Sequence, residues 1–290
     1  MPRREGSDAS AHLDRHRDMS ARVTLVMGVF NQLPFTRACM DSLRATTERF
    51  RLVVVDNGST DGTREFFERF EYPFPLRFDP HGTNESVITS LNRAWRHAET
   101  EFLCLLHNDT EMLDPEWLSR LLAALGGPGM GLAGLYGVKR LRKDGRYVGR
   151  TIVHSLAEGP TVQPPWEEVA VVDGVCMCLR RELLESVGGL DEGYGFFHGY
   201  DRDLSFAVRE AGYRCLVVYA PFRHRGGGTR AQEFAQRPDR ERQDLALRES
   251  ALDRFIAKYG HRLPCDVRSG RERLSDWVGA KLRLARPRSR

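Results

Sequence analysis

The residues best suited to chemistry sit at the ends of apolar runs. Leu103-Cys104-Leu105-Leu106 empties directly into His107-Asn108-Asp109-Thr110. Such a run reads as a strand buried on both faces, and open α/β sheets bind ligands just beyond the carboxyl ends of their strands. A carboxylate there can hold a divalent cation, and a cation can hold a diphosphate, which points to a nucleotide-charged substrate. The competing reading of Asp109 is a turn residue before a helix. His107 could join it as a ligand, or be a structural histidine. Asp56 ends a second run, Leu52-Val53-Val54-Val55, and is followed by Asn57-Gly58-Ser59 and Asp61. Its carboxylate can accept a hydrogen bond from a base ring N–H, or cap the turn.

Two further groups come late in the chain. Asp201, with Asp203 on the same turn, follows the glycine-rich loop 193–200 and opens a helix with an apolar face of Leu204, Ala207, Val208 and Ala211. It can be the helix cap, or a base that deprotonates a hydroxyl over a cleft. His224 precedes Gly226-Gly227-Gly228-Thr229, among Arg223, Arg225 and Arg230. An imidazole there can ligate a metal, the glycines admit close approach to phosphate, and the arginines suit a leaving diphosphate. The plainer alternative is a basic surface loop.

The elements that must position these groups follow from periodicity. Residues 1–22 are polar and charged and read as a disordered arm. Strands are expected over 23–29, 51–55, 76–78 and 102–106, and helices over 35–46, 63–70 and 85–98. Pro34 suits the first position of a helix, and Asp114-Pro115 reads as a cap opening a helix over 116–125. Alternating strands and helices imply right-handed crossovers and a parallel sheet. Beyond Gly126-Gly127-Pro128-Gly129 the character changes. Short strands are expected over 132–138, 151–153 and 169–179, then a helix over 182–187, a helix over 201–211 and a strand over 214–218. Residues 231–259 read as a charged helical tail, and 271–290 as a basic end with Leu274, Trp277, Val278, Leu282 and Leu284 interspersed.

With 290 residues, 41% of them hydrophobic, the chain suits one large domain with an appendage. A net charge of +4 fits an anionic small molecule or a lipid surface better than a nucleic-acid groove. Five of the six cysteines, Cys39, Cys104, Cys176, Cys178 and Cys215, lie in apolar or helical stretches with no CxxC pair. They read as buried thiols of a reducing compartment rather than a zinc ribbon. The first strand is not followed by GxGxxG, which argues against a dinucleotide-dependent oxidoreductase. There is no secretory leader pattern and no apolar stretch near the roughly 20 residues that span a bilayer, so a soluble, cytoplasmic protein is expected. The basic end could lie on the inner membrane face with Trp277 as its anchor, or be a solvated or partner-packing tail.

As an ordered set over residues 23–230, these segments resemble the family 2 glycosyltransferases, which have the GT-A fold. Val53-Val54-Val55-Asp56-Asn57-Gly58-Ser59-Thr60-Asp61-Gly62-Thr63 is close to the family's VVVDNGSTDGT stretch, and Phe30-Asn31 is similar to its YN. Asn84 and Asn92 fall at the spacing of its paired asparagines. Leu106-His107-Asn108-Asp109-Thr110 stands at its DXD, Asp173 to Arg181 at its acceptor-side strand, and Gly188-Gly189-Leu190-Asp191-Glu192 at its GGFDE. Tyr200-Asp201-Arg202-Asp203-Leu204 stands at its EDxDL, and His224 to Thr229 at its HxxGGGT. Two positions depart from the pattern: His107 replaces the first acid of the DXD, and Tyr200 replaces the acid before the base.

The resemblance implies an α/β fold: a Rossmann-like, mostly parallel sheet flanked by helices and a smaller antiparallel sheet on the acceptor side; the residues themselves add a basic helical C-terminal tail over 231–290. It implies a nucleotide-binding half over 23–127 and an acceptor-binding half over 128–230. It implies that Asp56 holds the base in a pocket lined by Val29 and Asn31, and that Asn84, Asn92, Asn108, Asp109, Asp173 and Arg230 serve the nucleotide-sugar. Asp109 and His224 would bind Mn²⁺ or Mg²⁺, and Asp201 would be the catalytic base. The activity implied is transfer from a UDP- or dTDP-sugar to a hydroxyl of a sugar, lipid-linked or small-molecule acceptor, with inversion. A silent nucleotide-sugar-binding or scaffold protein on the same fold is the alternative, motivated by His107.

Overall fold

The computed structural model describes residues 21–225 and 238–284. The chain alternates at first: β1 (Val23–Val29), α1 (Leu33–Leu43), β2 (Phe50–Asn57), α2 (Thr63–Glu68), β3 (Leu76–His81), α3 (Val87–Trp95), β4 (Phe102–Leu106), β5 (Thr110–Met112) and α4 (Trp117–Leu125). Short strands follow: β6 (Met130–Gly134), β7 (Tyr136–Val138), β8 (Arg140–Leu141), β9 (Ile152–His154), β10 (Trp166–Val169), β11 (Val171–Val172) and β12 (Cys176–Arg180). Then come α5 (Arg181–Ser186), α6 (Tyr200–Glu210), β13 (Arg214–Val218), β14 (Phe222–His224), α7 (Pro238–Tyr259), β15 (Cys265–Asp266) and α8 (Gly270–Leu284).

The main sheet has eight strands in the order β10-β13-β6-β12-β4-β1-β2-β3. β1, β2, β3 and β4 run parallel, while β12 is antiparallel to both β4 and β6. Strand side chains alternate between faces, so each apolar run feeds two cores. Leu25, Met27, Leu52, Val54, Cys104 and Leu106 pack on the side of α1 and α4. Val26, Val53, Val55, Leu103 and Leu105 pack on the side of α3, α5, α6 and α7. β11, β7 and β9 form a smaller antiparallel sheet. This is the α/β architecture with a mostly parallel flanked sheet that the alternation implied.

Several expectations are corrected. The single strand over 132–138 is two, and the single run over 169–179 is three. The chain crosses itself there: a Cβ on Gly134 would collide with Val172 and the Cys176 carbonyl. The fourth helix starts at Trp117; Asp114 instead forms a turn before it, its Oδ1 accepting the Glu116 N–H at 2.9 Å. α6 begins at Tyr200 with Gly199 at the cap position (φ 84°), so Asp201 lies inside the first turn and is not the cap. Most important, α7 is no tail. Phe255 and Tyr259 are fully buried against Phe206, with ring centroids 4.8 and 5.4 Å away. Burial on that scale stabilises the docking by about 2 kcal/mol per ring. Of the arm expected over 1–22, residues 1–20 lie outside the described residues, as do 226–237 and 285–290; Ala21 is buried and Arg22 pairs with Glu101 at 2.9 Å, so those two belong to the fold. Among those described, no helix is long and apolar enough to cross a membrane.

Candidate functional site

β2 and β4 flank β1 in parallel, with Asp56 level with Val29 and Leu105 level with Val26. Two strand spacings, roughly 10 Å, therefore separate the polar ends of β2 and β4 on one edge of the sheet. Asp56 is 1% exposed. Its Oδ1 accepts the Ser59 N–H at 3.1 Å, while Oδ2 is buried with no hydrogen-bond partner. A buried lone oxygen of this kind is costly unless a donor completes it. Asn31 and Gln32 beside it both have positive φ, 54° and 61°. That strain is held by cross-links to the loop after β2, Asn31 N–H to Ser59 Oγ at 2.8 Å and Thr60 N–H to Asn31 Oδ1 at 2.8 Å. Non-glycine residues kept in this region gather at functional sites.

The end of β4 meets a partner from far along the chain. β14 pairs antiparallel with β5, setting His224 opposite Thr110. His224 Nε2 then lies 3.1 Å from Asp109 Oδ1, and His107 Nδ1 lies 4.0 Å from the same oxygen. One ligand atom from each of the three lies within 4.8 Å of the others. Burial pushes the Asp109 carboxyl up, but the His224 hydrogen bond and the charges of both histidines outweigh it and hold it below the usual carboxylate range. His107 Nε2 is 3.0 Å from Tyr200 Oη, which in turn reaches the Gly174 carbonyl at 3.4 Å. A cation bound beside Asp109 would take the Nδ1 lone pair of a neutral His107, with Nε2–H donating to the tyrosine. Two imidazoles and a carboxylate in this arrangement are a fitting donor set for a divalent ion, with positions left over.

Tyr200 links this cluster to the next. The residue after it, Asp201, is held in a corner where burial is the dominant influence and raises its carboxyl above the ordinary range, against the opposing charge of Arg202. The loop before it is clamped from two sides. Ser86 Oγ donates to the Gly195 carbonyl at 2.7 Å, and Val87 N–H to the Phe196 carbonyl at 2.9 Å. From α7, Asp244 pairs with His198 at 2.7 Å, and Arg254 with Asp191 at 2.8 Å. Asp203, the alternative base, is 3% exposed and tied to Lys258 at 2.7 Å.

Residues 24–188 match the sequence profile of the family described as glycosyl transferase family 2. The chain belongs to that family. It is 30% identical over 235 residues to the O-antigen biosynthesis protein RfbC of Myxococcus xanthus, covering 74% of this chain and 18% of that protein. It is 28% identical over 233 residues to the uncharacterized protein y4gI of Sinorhizobium fredii, covering 73% and 25%. The chain thus spans a quarter or less of these relatives. Among solved structures it is similar to the mannosyltransferase PcManGT of Pyrobaculum calidifontis in complex with GDP-Man and Mn²⁺. That TM-score is 0.53 at 21% identity, covering 92% of this chain and 81% of that one. GalNAc-T7, crystallised with UDP, GalNAc and Mn²⁺, gives 0.59 at 13% identity, covering 70% and 42%. These likenesses show the GT-A fold.

The remaining site candidates are placed as follows. Asn84 faces the edge beside Asp56, its Oδ1 accepting from Asn57 Nδ2 at 3.0 Å. Asp173 caps its own turn by accepting the Val175 N–H at 3.0 Å. Asn108 does not turn toward the Asp109 cluster: its amide donates to Thr36 Oγ1 on α1 at 2.8 Å. Asn92 is corrected outright. Its Nδ2 donates to the Leu190 carbonyl and Glu192 Oε1, and its Oδ1 accepts from Trp95 Nε1 and the Leu190 N–H, all within 3.0 Å. Every hydrogen-bonding position of that amide is spent inside the protein, so it fastens the 188–192 turn to α3 rather than touching a ligand. Arg230 lies outside the described residues. The sequence reading passed over Tyr200 as a lost acid and Tyr147 altogether; the only signal for the first was its place between a histidine-bearing loop and Asp201.

Replacing Asn92 with Ala leaves buried groups of Leu190 and Trp95 unpaired, and should cost about 2–3 kcal/mol of stability in a urea titration. A loss under half a kcal/mol would mean the amide is not the fastener described.

Proposed function

We propose that the chain is an inverting glycosyltransferase that moves a sugar from a UDP- or dTDP-sugar to a hydroxyl acceptor. The observation that carries this reading is the meeting of the Asp109–His224–His107 cluster with Asp201 through the Tyr200–His107 bond, on the same sheet edge as Asp56. The unpaired Oδ2 of Asp56 suits the ring N–H of uracil or thymine, with Val29, Asn31 and Asn84 around it. Asp109, His224 and His107 would hold the ion, and a bound Mn²⁺ would supply charge stabilisation for the departing diphosphate. Asp201 takes the proton of the acceptor hydroxyl as that oxygen bonds the anomeric carbon. The bond from that carbon to the diphosphate breaks in the same displacement, so the configuration inverts and no enzyme-bound intermediate forms. Residues 23–127 serve the nucleotide and 128–230 the acceptor. The silent-binder alternative rested on His107; an imidazole that completes a three-ligand set weighs against it.

A peripheral membrane contact through the C-terminal helix also has support. The acidic residues of α8 face the body: Glu272 pairs with Lys139, and Asp276 with Arg268 and Arg150. On the other side Leu274, Trp277 and Val278 are 61%, 58% and 41% exposed, just after Arg271 and Arg273 in sequence. A helix docked by its charges and showing its apolar side outward suits an anionic lipid surface.

Three outcomes test these readings. Asp201→Asn should lower kcat at least a thousandfold while leaving nucleotide affinity near wild type. Because burial raises the carboxyl and the base works ionised, wild-type kcat/KM should fall as pH drops through a value above the ordinary carboxylate pKa of about 4; an acid limb at or below that value contradicts the assignment. Calorimetry should find Mn²⁺ bound at least tenfold more tightly than Mg²⁺, since imidazole nitrogen suits transition ions and Mg²⁺ prefers oxygen, with the preference lost in His107→Ala. Equal affinities would remove His107 from the ligand set. The Leu274→Glu, Trp277→Glu double variant should sediment several-fold less with phosphatidylglycerol vesicles than wild type does; identical sedimentation ends the membrane proposal.

A further inference from the structure

The first turn of α6 holds a guanidinium that the mechanism above leaves unused. Arg202 follows Asp201 directly, and its Cζ lies 4.5 Å from the ring centroid of Tyr147 and 5.1 Å from that of Phe255. The loop over 142–147 closes this corner against α7, with Gly145 packed on Leu252, Phe255 and Ile256. Among the described residues the guanidinium makes one hydrogen bond, Nε to Tyr147 Oη at 3.3 Å, and no ion pair within 4.0 Å. Four other cations of α7 and the 142–147 loop are paired: Arg254 with Asp191 at 2.8 Å, Lys258 with Asp203 at 2.7 Å, Arg248 with Asp244 at 2.8 Å and Arg146 with Glu249 at 2.7 Å.

Arginine does not shed its proton, so a partly buried guanidinium that meets the Asp201 charge only across space, with no contact ion pair among the described residues, carries a standing desolvation cost. Stacking on two rings offsets part of it and fixes the plane of the fork. It leaves both terminal nitrogens, none of them buried without a partner, for an incoming planar or tetrahedral anion. The carboxylates that face the corner are those of Asp201 and Asp173, both felt by Tyr147. Neighbouring residues on a helix point in different directions, so Asp201 and Arg202 address two separate groups of one molecule.

We propose that Arg202 is the anion-binding element of the acceptor site, and that the acceptor carries a phosphate or carboxylate close to the hydroxyl that receives the sugar. The proposal rests on the glycosyltransferase reading, since Asp201 defines where that hydroxyl sits. It narrows the acceptor class to phosphorylated polyols or sugars and to acidic sugars, and sets neutral glycans aside.

The test titrates the full chain calorimetrically, with Mn²⁺, in the presence and absence of UDP, against two matched pairs: glycerol 3-phosphate with glycerol, and methyl glucuronide with methyl glucoside. At least one anionic probe should bind tenfold or more tightly than its neutral partner, and the pair that responds tells phosphate from carboxylate. Arg202→Gln should erase the difference. Arg202→Lys, which keeps charge but not the fork, should retain part of it, an outcome a merely structural arginine would not give. Equal affinity within both pairs, including no binding of any probe, overturns the proposal, as does a preference that survives in Arg202→Gln. Failure of UDP, dTDP and GDP alike to bind the wild type with Mn²⁺ would instead sink the donor reading, which the anion preference in the nucleotide-free titrations does not depend on.

Discussion

The site depends on one short pairing, that of β14 with β5. Three residues from late in the chain lie antiparallel to three that follow β4, and the register places His224 against the Asp109 carboxylate. Without that pairing the end of β4 would present a histidine and an aspartate with no third donor. With it, a buried carboxylate that would tend to take up a proton is instead held ionised by two imidazoles. The same pairing fixes the opening of the cleft, because the Arg225 N–H bonds the Asp109 carbonyl at 3.0 Å and Glu111 is braced by Arg223 and Arg225.

Opposite pKa pressures on two aspartates then divide the labour. Asp109 is drawn below the ordinary range by its histidines, and Asp201 is pushed above it by burial. One stays ionised and acceptor-only; the other is a stronger base than a solvated carboxylate. Tyr200 lies between them, bonded to His107, where the family pattern has an acid. A neutral phenol there gives up the repulsion a second carboxylate would bring, so desolvation alone raises Asp201. It also bonds the ring nitrogen of His107, so the two departures from the pattern meet: a histidine stands at the position of one acid, and a tyrosine at the position of another supports it.

The fold was largely legible because its signals are local. Three buried strands ending in polar residues, with an edge strand beside them, announce a parallel sheet and the edge on which ligands gather. Asp56 and Asp109 could be found as polar groups after apolar runs, and Asp201 and His224 beside glycine-rich loops. What was not legible depends on contacts between distant segments. Asn92 carries the right residue type at the right spacing, yet the turn around Leu190 consumes its whole amide. Asp201 looked like a cap because composition does not tell the first turn from the cap when Gly199 can adopt positive φ. The helix over 238–259 looked like a charged tail because nearly half of its residues are ionic; its contribution is Phe255 and Tyr259, two rings among many ions.

That helix alters what the end of the chain is for. α7 supplies Asp244 to His198, Arg254 to Asp191, and Lys258 to Asp191 and Asp203, so three points in the stretch 191–203 are tied to one rigid rod. Each exposed pair alone contributes little, but the Lys258–Asp203 contact is different, since Asp203 is almost fully buried and would be a lone charge without it. The rod also offers Phe255 as one wall of the Arg202 corner. The segment beyond the family's matched residues therefore holds the 191–203 stretch, Asp201 included, in place and shapes the surface beside it. In a fold whose polar edge is built from strand ends, this side takes its form from the helix and the loops that lean on it, and loops can vary there without disturbing the sheet.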